Sequence, residues 1–158
     1  AFFLNAFNLM VLHGHIVRST ADMCNFKTQR RSFMRGVQYM IAVFIYSLEE
    51  IESRLLCRRD FVPESRVRFA LSLGAMSSPR IRIYTAQGLD RELDDAAVEY
   101  CNQIELDEAS RVITLPKVFE RFQDDFGPSQ ADVVRYCAKY APEQIRWPMT
   151  LLANSKQL

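Results

Sequence analysis

The sequence predicts an α+β fold in a single domain over residues 1–147, followed by a tail at 148–158. Three observations predict this fold. The first 17 residues are apolar and uncharged, several short segments alternate apolar and polar residues as strands do, and several longer segments repeat apolar residues at helical spacing. Because helices and strands are interspersed without a regular strand–helix–strand order, the pattern favours α+β over a doubly wound parallel sheet.

The opening segment predicts a buried helix. Residues 1–17 carry no charge, and their apolar side chains point in every direction around a helix, which is typical of a helix buried on all sides. A membrane span needs about 20 predominantly apolar residues, and this segment is shorter and contains Asn5, Asn8 and His13. We therefore expect the central helix of a domain, no membrane span and no signal peptide, since a basic n-region and a cleavage site are lacking. Without an initiator Met, the chain is expected to be cut from a longer polypeptide.

Local signals place the other elements in order. Strands and hairpins are predicted at residues 37–41, 43–46, 66–71, 80–84, 104–106 and 111–114. Amphipathic helices are predicted at residues 48–57, 85–101, 116–126 and 129–141. Ser47 and Glu50 have the spacing of a capping box, and Ser129 suits an N-cap. Residues 19–35 are expected to form a polar loop.

The charges are distributed unevenly. The net charge is +1, but residues 18–83 hold twelve Lys/Arg against six Asp/Glu, whereas residues 84–128 hold four against eleven. We expect these oppositely charged parts to complement each other within the domain; the alternative is that the basic part meets an anionic partner. Because no basic run is long enough to form a nucleic-acid-binding arm, nucleic acid is not an expected partner.

The cysteines and histidines argue against disulfides and metal. Four cysteines stand far apart without a C-x-x-C pair, which favours free thiols in an intracellular protein. The two histidines, His13 and His15, are two positions apart, so a regular helix separates them by about 200° and they cannot share a metal ion. No metal and no cofactor are therefore expected.

Polar residues on the first helix suggest two alternative roles. Asn5, Asn8 and His15 lie along one line of the helix, and we expect hydrogen bonds from them to pin the helix to neighbouring loops. Alternatively, His13 or His15 is the general base for a nucleophile in the turn at residues 74–79. The candidate nucleophiles there are Ser77 and Ser78, although no G-x-S-x-G motif surrounds them.

The same turn suggests an anion site. Its backbone amides could form a nest for an anion beside arginines of the two strands predicted at 66–71 and 80–84. The four arginines that would line this site are Arg66, Arg68, Arg80 and Arg82.

Four segments together resemble a known family. They are Ala1-Phe-Phe-Leu-Asn-Ala-Phe-Asn-Leu-Met-Val-Leu-His13, Ser47-Leu-Glu-Glu-Ile-Glu52, Val67-Arg-Phe-Ala-Leu-Ser-Leu-Gly-Ala-Met-Ser-Ser-Pro-Arg-Ile-Arg-Ile-Tyr-Thr-Ala86, and Leu115-Pro-Lys-Val-Phe119 with Asp125-Phe-Gly127. In this order they resemble the domain of unknown function 547. The middle segment is most similar to the eukaryotic branch, found in plant leucine-zipper proteins and in proteins with glutaredoxin or DEP modules. The resemblance implies an intracellular module within larger proteins, with no established activity.

Positions that match the family signature and positions that differ from it both bear on whether this chain could carry out catalysis. The positions that match the family signature most clearly are Asn5, Asn8, His13, Phe69, Ala70, Leu71, Gly74, Ser77, Ser78, Pro79, Arg82 and Tyr84. Relatives typically have a cysteine where this chain has Leu73, many have a cysteine where it has Ser78, and a Gly-Gly-His commonly stands where it has Ala42-Val43-Phe44. Any thiol chemistry in the family would therefore be lost here.

The sequence thus predicts an interaction or scaffolding module. We expect its partner to be another protein or an adjacent domain of the same chain, and we do not expect an enzyme. The alternative is a hydrolase-like or thiol-linked enzyme that uses a histidine of the first helix and the Ser77-Ser78 turn.

Overall fold

A computed structural model describes residues 1–17, 26–56, 64–75 and 77–155 of the chain. It is mainly helical and contains two small antiparallel sheets, which confirms the α+β class. The chain forms two compact units, Ala1–Leu89 and Asp90–Leu158. Each unit is described by itself below.

The first unit is built on helix α1, Phe2–Val17. Helix α2, Phe26–Gly36, follows and packs beside it, because Gly14 has no side chain: a Cβ there would lie 3.0 Å from the Phe33 ring and 2.9 Å from Val37. The predicted polar loop at 19–35 is therefore wrong from residue 26 onwards, and its residues 19–25 lie outside the described part of the chain.

The predicted early hairpin is confirmed. Strand β1, Gln38–Ile41, pairs with strand β2, Phe44–Ser47, and Tyr39 lies opposite Tyr46. The connecting turn begins at Ala42, which adopts a φ of +56°. Most residues with a side chain avoid this conformation, so the turn lacked a recognisable sequence signal.

The predicted helix start at Ser47 is also confirmed. Helix α3, Leu48–Glu50, begins at a complete capping box: the Ser47 hydroxyl accepts from the Glu50 amide, and the Glu50 carboxylate accepts from the Ser47 amide. A π-helical segment, Ile51–Leu56, continues it and packs against α1. Leu48 and Ile51 are fully buried, so this helical turn closes the core of the first unit.

The predicted strand at 66–71 is wrong. Residues Ser65–Phe69 form a 3-10 helix in which the Glu64 carboxylate accepts from the Arg66 amide and pairs with the Arg66 guanidinium. The alternation of arginine and apolar residues imitated a strand, but carboxylates hold both arginines. Within the described residues, 80–84 also belong to neither sheet.

The second unit begins one residue into helix α4 and contains the remaining elements. They are helix α4, Leu89–Cys101; strands β3, Glu105–Asp107, and β4, Val112–Thr114; and helices α5, Lys117–Arg121, α6, Gln123–Phe126, α7, Gln130–Ala138, and α8, Glu143–Asn154. The predicted hairpin and the Ser129 N-cap of α7 are confirmed. Thr85 does not begin α4; its hydroxyl accepts from the Gly88 amide one turn earlier.

The segment from residue 148, which the sequence predicted as a tail or a wrapping segment, contains the second half of a helix. Helix α8 runs through Pro148 to Asn154, packs against α7 and buries Met149 and Ala153. Proline removes one hydrogen bond from a helix. Pro148 therefore made the helical spacing of the apolar residues hard to recognise in the sequence. The burial of side chains four residues apart, together with Arg135 donating to the Asn154 side chain, accounts for the helix. The domain boundary at 147 itself stays a prediction.

Candidate functional site

Two asparagines of α1 hold distant backbone segments. The buried Asn8 amide donates to the Ala70 carbonyl at 3.0 Å and accepts from the Ser72 amide at 3.1 Å. Asn5 makes the same paired contact with Tyr84, donating to its carbonyl and accepting from its amide, both at 2.8 Å. Each carboxamide thus hydrogen-bonds to one backbone carbonyl and one backbone amide, as a neighbouring strand would in a sheet. These contacts fix the two ends of segment 70–84 on α1.

His15 holds the same segment at Leu73, three residues after Ala70. Its Nε2 donates to the Leu73 carbonyl at 2.9 Å, and its ring lies 4.9 Å from the Phe33 ring of α2. A Cβ at Gly74 would lie 2.5 Å from that nitrogen, and Gly74 also has a φ of +75°. Glycine is therefore required at this position for two independent reasons. Asn5, Asn8 and His15, hereafter the polar edge of α1, thus each hydrogen-bond to the backbone of segment 70–84.

Ser78 stabilises the turn internally. Its hydroxyl oxygen accepts from the Leu73 amide at 3.3 Å and from the Ala75 amide at 3.1 Å. Its own amide donates to the Ala75 carbonyl at 2.8 Å. Ser77 is exposed beside it. The hydroxyl oxygen of Ser78 is thus occupied by two amides, which is the arrangement of a turn cap.

His13 lies on a different side of α1. It is exposed, and its ring meets the Tyr39 ring of the hairpin edge-on, with centroids 5.6 Å apart. The structure therefore places His13 at the hairpin and His15 at the turn. The enzyme hypothesis stays a prediction for both histidines and both serines.

The four candidate anion-binding arginines do not form one exposed row. Arg68 pairs with Glu52 at 2.7 Å, and Arg30 approaches the same carboxylate at 3.9 Å. Arg66 makes a two-point contact with Glu64. Arg80 is exposed and Arg82 half-buried in segment 80–84. Since carboxylates pair with Arg66 and Arg68, the charge available for an anion is smaller than the sequence suggested. The anion site stays a prediction.

An exposed apolar face of α1 was not predicted from the sequence. Phe2, Leu9, Leu12 and Ile16 of α1, hereafter the exposed strip, face solvent, with Leu9 64% and Ile16 80% exposed. The expected burial of α1 on all sides is therefore wrong: the helix buries about half of its circumference, and the polar edge borders the buried half. The absence of charge had indicated burial, but an uncharged face can also bind a partner.

The hairpin beside α1 also exposes apolar side chains. The Phe3 ring of α1 contacts the Tyr46 ring at 6.1 Å, so the hairpin lies along one side of the helix. Four apolar side chains of the hairpin and its turn are exposed. They are Met40, Val43, Phe44 and Ile45.

The thiols and possible metal ligands show no reactive grouping among the described residues. Cys101 and Cys137 are free and buried, and burial raises the pKa of the Cys101 thiol to about 12 and raises that of Cys137 further. Cys24 and Cys57 lie outside the described residues. In the described part of the chain, no cluster of three or more His, Cys, Asp or Glu side chains could hold a metal ion. Nor does any helix there have the length and apolar character to cross a bilayer.

The fold and site together define a mainly helical α+β protein whose first helix holds a long loop through side-chain hydrogen bonds. A family model described as "Protein of unknown function, DUF547" matches residues 1–101. The chain belongs to this family, which confirms the resemblance; its place in the eukaryotic branch stays a prediction. Comparisons with curated proteins and with solved structures gave no match.

Proposed function

We propose that the chain is an intracellular interaction module that binds a protein through the exposed strip of α1 and the adjoining hairpin. One observation carries this proposal: the apolar side chains of these elements are exposed on neighbouring parts of the first unit. Exposed apolar side chains grouped on neighbouring elements are typical of protein-binding sites. Location inside the cell and residence in a larger protein are further parts of the proposal, supported by the family resemblance.

The polar residues support the same assignment. His15 Nε2 and the Ser78 hydroxyl oxygen are hydrogen-bonded to backbone groups at Leu73 and Ala75. The Asn5 and Asn8 side chains are hydrogen-bonded to backbone groups of Tyr84, Ala70 and Ser72. Packing and hydrogen bonding within the fold explain the positions of these polar side chains. They do not explain why the apolar side chains of α1 and the hairpin are exposed.

A complementation experiment separates the two functions. In cells that lack the natural protein, full-length protein with Leu9→Glu and Phe44→Glu is compared with protein carrying His13→Ala and Ser77→Ala. All four side chains are exposed, and the circular dichroism spectrum and thermal midpoint of each variant are measured first, so that function is compared only between folded proteins. We expect the apolar-surface variant to lose function and the His13/Ser77 variant to keep it. The opposite pattern would refute the interaction role of the apolar side chains and favour the enzyme alternative.

A further inference from the structure

The segment at residues 80–84 has the sequence of a strand but no strand beside it. Arg80-Ile-Arg-Ile-Tyr84 alternates in polarity and contains two β-branched residues, which favours a strand. Within the described residues, however, the segment belongs to neither sheet. Proteins depart from such local preferences mainly at functional or strained sites. The missing neighbour is therefore a feature that a binding partner could explain.

The backbone of this segment is extended. Residues 79–85 make no helix, turn or bend. The Asn5 carboxamide binds both the amide and the carbonyl of Tyr84, which requires these two groups to point the same way, as they do in a strand. In a strand, the amide and carbonyl of the adjacent residue point the opposite way. The amides and carbonyls of Ile81 and Ile83 therefore point away from α1.

The backbone groups of these two isoleucines can be reached by a partner. No residue in the described part of the chain hydrogen-bonds to the backbone of Ile81 or Ile83. Ile83 is 84% exposed and Ile81 is 40% exposed. In an extended chain the two residues lie about 7 Å apart on the same edge. This edge thus presents two donors and two acceptors at the spacing of a strand.

An extended peptide is the occupant whose chemistry matches this edge. A backbone in the strand conformation presents one donor and one acceptor towards its neighbour at every second residue, with the same spacing. A helix uses its amides and carbonyls internally, and an apolar surface offers neither group. Peptides that add a strand to an exposed edge gain their affinity from such main-chain hydrogen bonds.

We propose that an extended segment of a partner protein adds a strand to residues 80–84 and hydrogen-bonds to the backbone of Ile81 and Ile83. The partner segment supplies apolar residues at alternate positions, which pack against the two isoleucine side chains. This site does not use the exposed strip of α1, so it goes beyond the proposed function and does not rest on it.

Peptide selection tests the proposal. Random peptides displayed on phage are selected on the native chain, and calorimetry measures the dissociation constants of the selected peptides. Ile83→Pro removes the amide that donates to the peptide, yet proline suits an extended edge and this amide has no partner among the described residues. We expect this substitution to raise the dissociation constant at least ~10-fold. Ile83→Val is the matched control: it keeps the amide and a β-branched side chain, so the dissociation constant should stay within about twofold of the native value.

Hydrogen exchange measured by NMR checks the geometry without a substitution. A selected peptide should slow exchange of the Ile81 and Ile83 amides, whereas the Arg82 amide, which points towards α1, should keep its rate. A library that yields no binder, or peptides that bind equally well to Ile83→Pro, would overturn the proposal. So would protection of both amides that rises with protein concentration in the absence of peptide, because it would assign the edge to a second copy of the chain. Peptide binding that is lost on Leu9→Glu but kept on Ile83→Pro refutes the added strand alone and leaves the interaction role of the exposed strip standing.

Discussion

Removing the Asn8 carboxamide should destabilise the first unit strongly. Asn8→Ala leaves the Ala70 carbonyl and the Ser72 amide without their partner, and all three residues are buried. An unsatisfied buried backbone group costs about 1–3 kcal/mol, so the two together should lower the free energy of unfolding by about 2–6 kcal/mol. This is a large fraction of the about 5–15 kcal/mol that stabilises a typical domain.

Urea denaturation followed by circular dichroism measures this change. The midpoint should fall while the slope stays constant, and the thermal midpoint should fall by roughly 5–20 °C for a chain of this length. Asn102→Ala is the control: Asn102 is exposed, and its replacement should change the free energy of unfolding by less than about 0.5 kcal/mol. Asn5→Ala should fall between the two, since Asn5 is only partly buried. An Asn8→Ala protein as stable as the native chain would refute the reasoning.

Three other substitutions and one labelling experiment give further predictions. Gly74→Ala should lower the free energy of unfolding by more than about 1 kcal/mol, because the new Cβ strains a positive φ and meets the His15 ring. A double-mutant cycle with His15→Ala should show that the two sites are coupled, and strict additivity of the two changes would contradict the contact. Ser47→Ala should cost about 1 kcal/mol in urea melts through loss of the helix cap, and an unchanged midpoint would argue against the capping box. Hydrogen bonds from Ser47 lower the pKa of Glu50, so the Glu50 carboxylate should contribute its full stabilisation above the ordinary Glu pKa and lose it as the pH falls through the lowered pKa. In an acid titration, the free energy of unfolding of Glu50→Gln should therefore fall less steeply than that of the native chain. Identical curves for the two proteins would refute this prediction. The Cys101 thiol, with its pKa raised to about 12, should resist iodoacetamide in the folded protein and react after unfolding in urea; mass spectrometry showing rapid native labelling would contradict its burial.

Local signals predicted local structure well. The capping box at Ser47 and the cap at Ser129 were recognisable because donor and acceptor lie three residues apart in the sequence. The two hairpins were recognisable because their strands are adjacent and alternate in polarity. The polar edge of α1 was also identified from the sequence, since uncharged polar residues on an apolar helix need hydrogen-bonding partners.

Predictions that depended on distant contacts were less accurate. The segment 66–71 has the alternation of a strand, yet Glu52 and Glu64 hold its arginines in a 3-10 helical conformation. The backbone groups of Tyr84 are satisfied by the Asn5 side chain, far away in the sequence. Alternation of apolar and polar residues indicates which side chains point in opposite directions. It does not indicate which distant group hydrogen-bonds to the backbone amides and carbonyls of the segment.

The candidate site shows the same limit. The sequence identified the residues of the turn and the polar edge, but not that the Ser78 hydroxyl would cap its own turn. It also placed the whole circumference of α1 in the core. The heptad spacing of Phe2, Leu9 and Ile16 was present in the sequence and is the signal that could have indicated an exposed packing surface instead.

Amide hydrogen exchange measured by NMR tests most directly whether side chains of α1 organise the 70–84 segment. The Ser72 amide donates to Asn8 and the Tyr84 amide to Asn5, so both should be protected in the native chain. If these side chains organise the segment, Asn5→Ala abolishes protection at Tyr84 while Ser72 stays protected. Rapid exchange of both amides in the native chain, or protection at Tyr84 that survives Asn5→Ala, would contradict this role of α1.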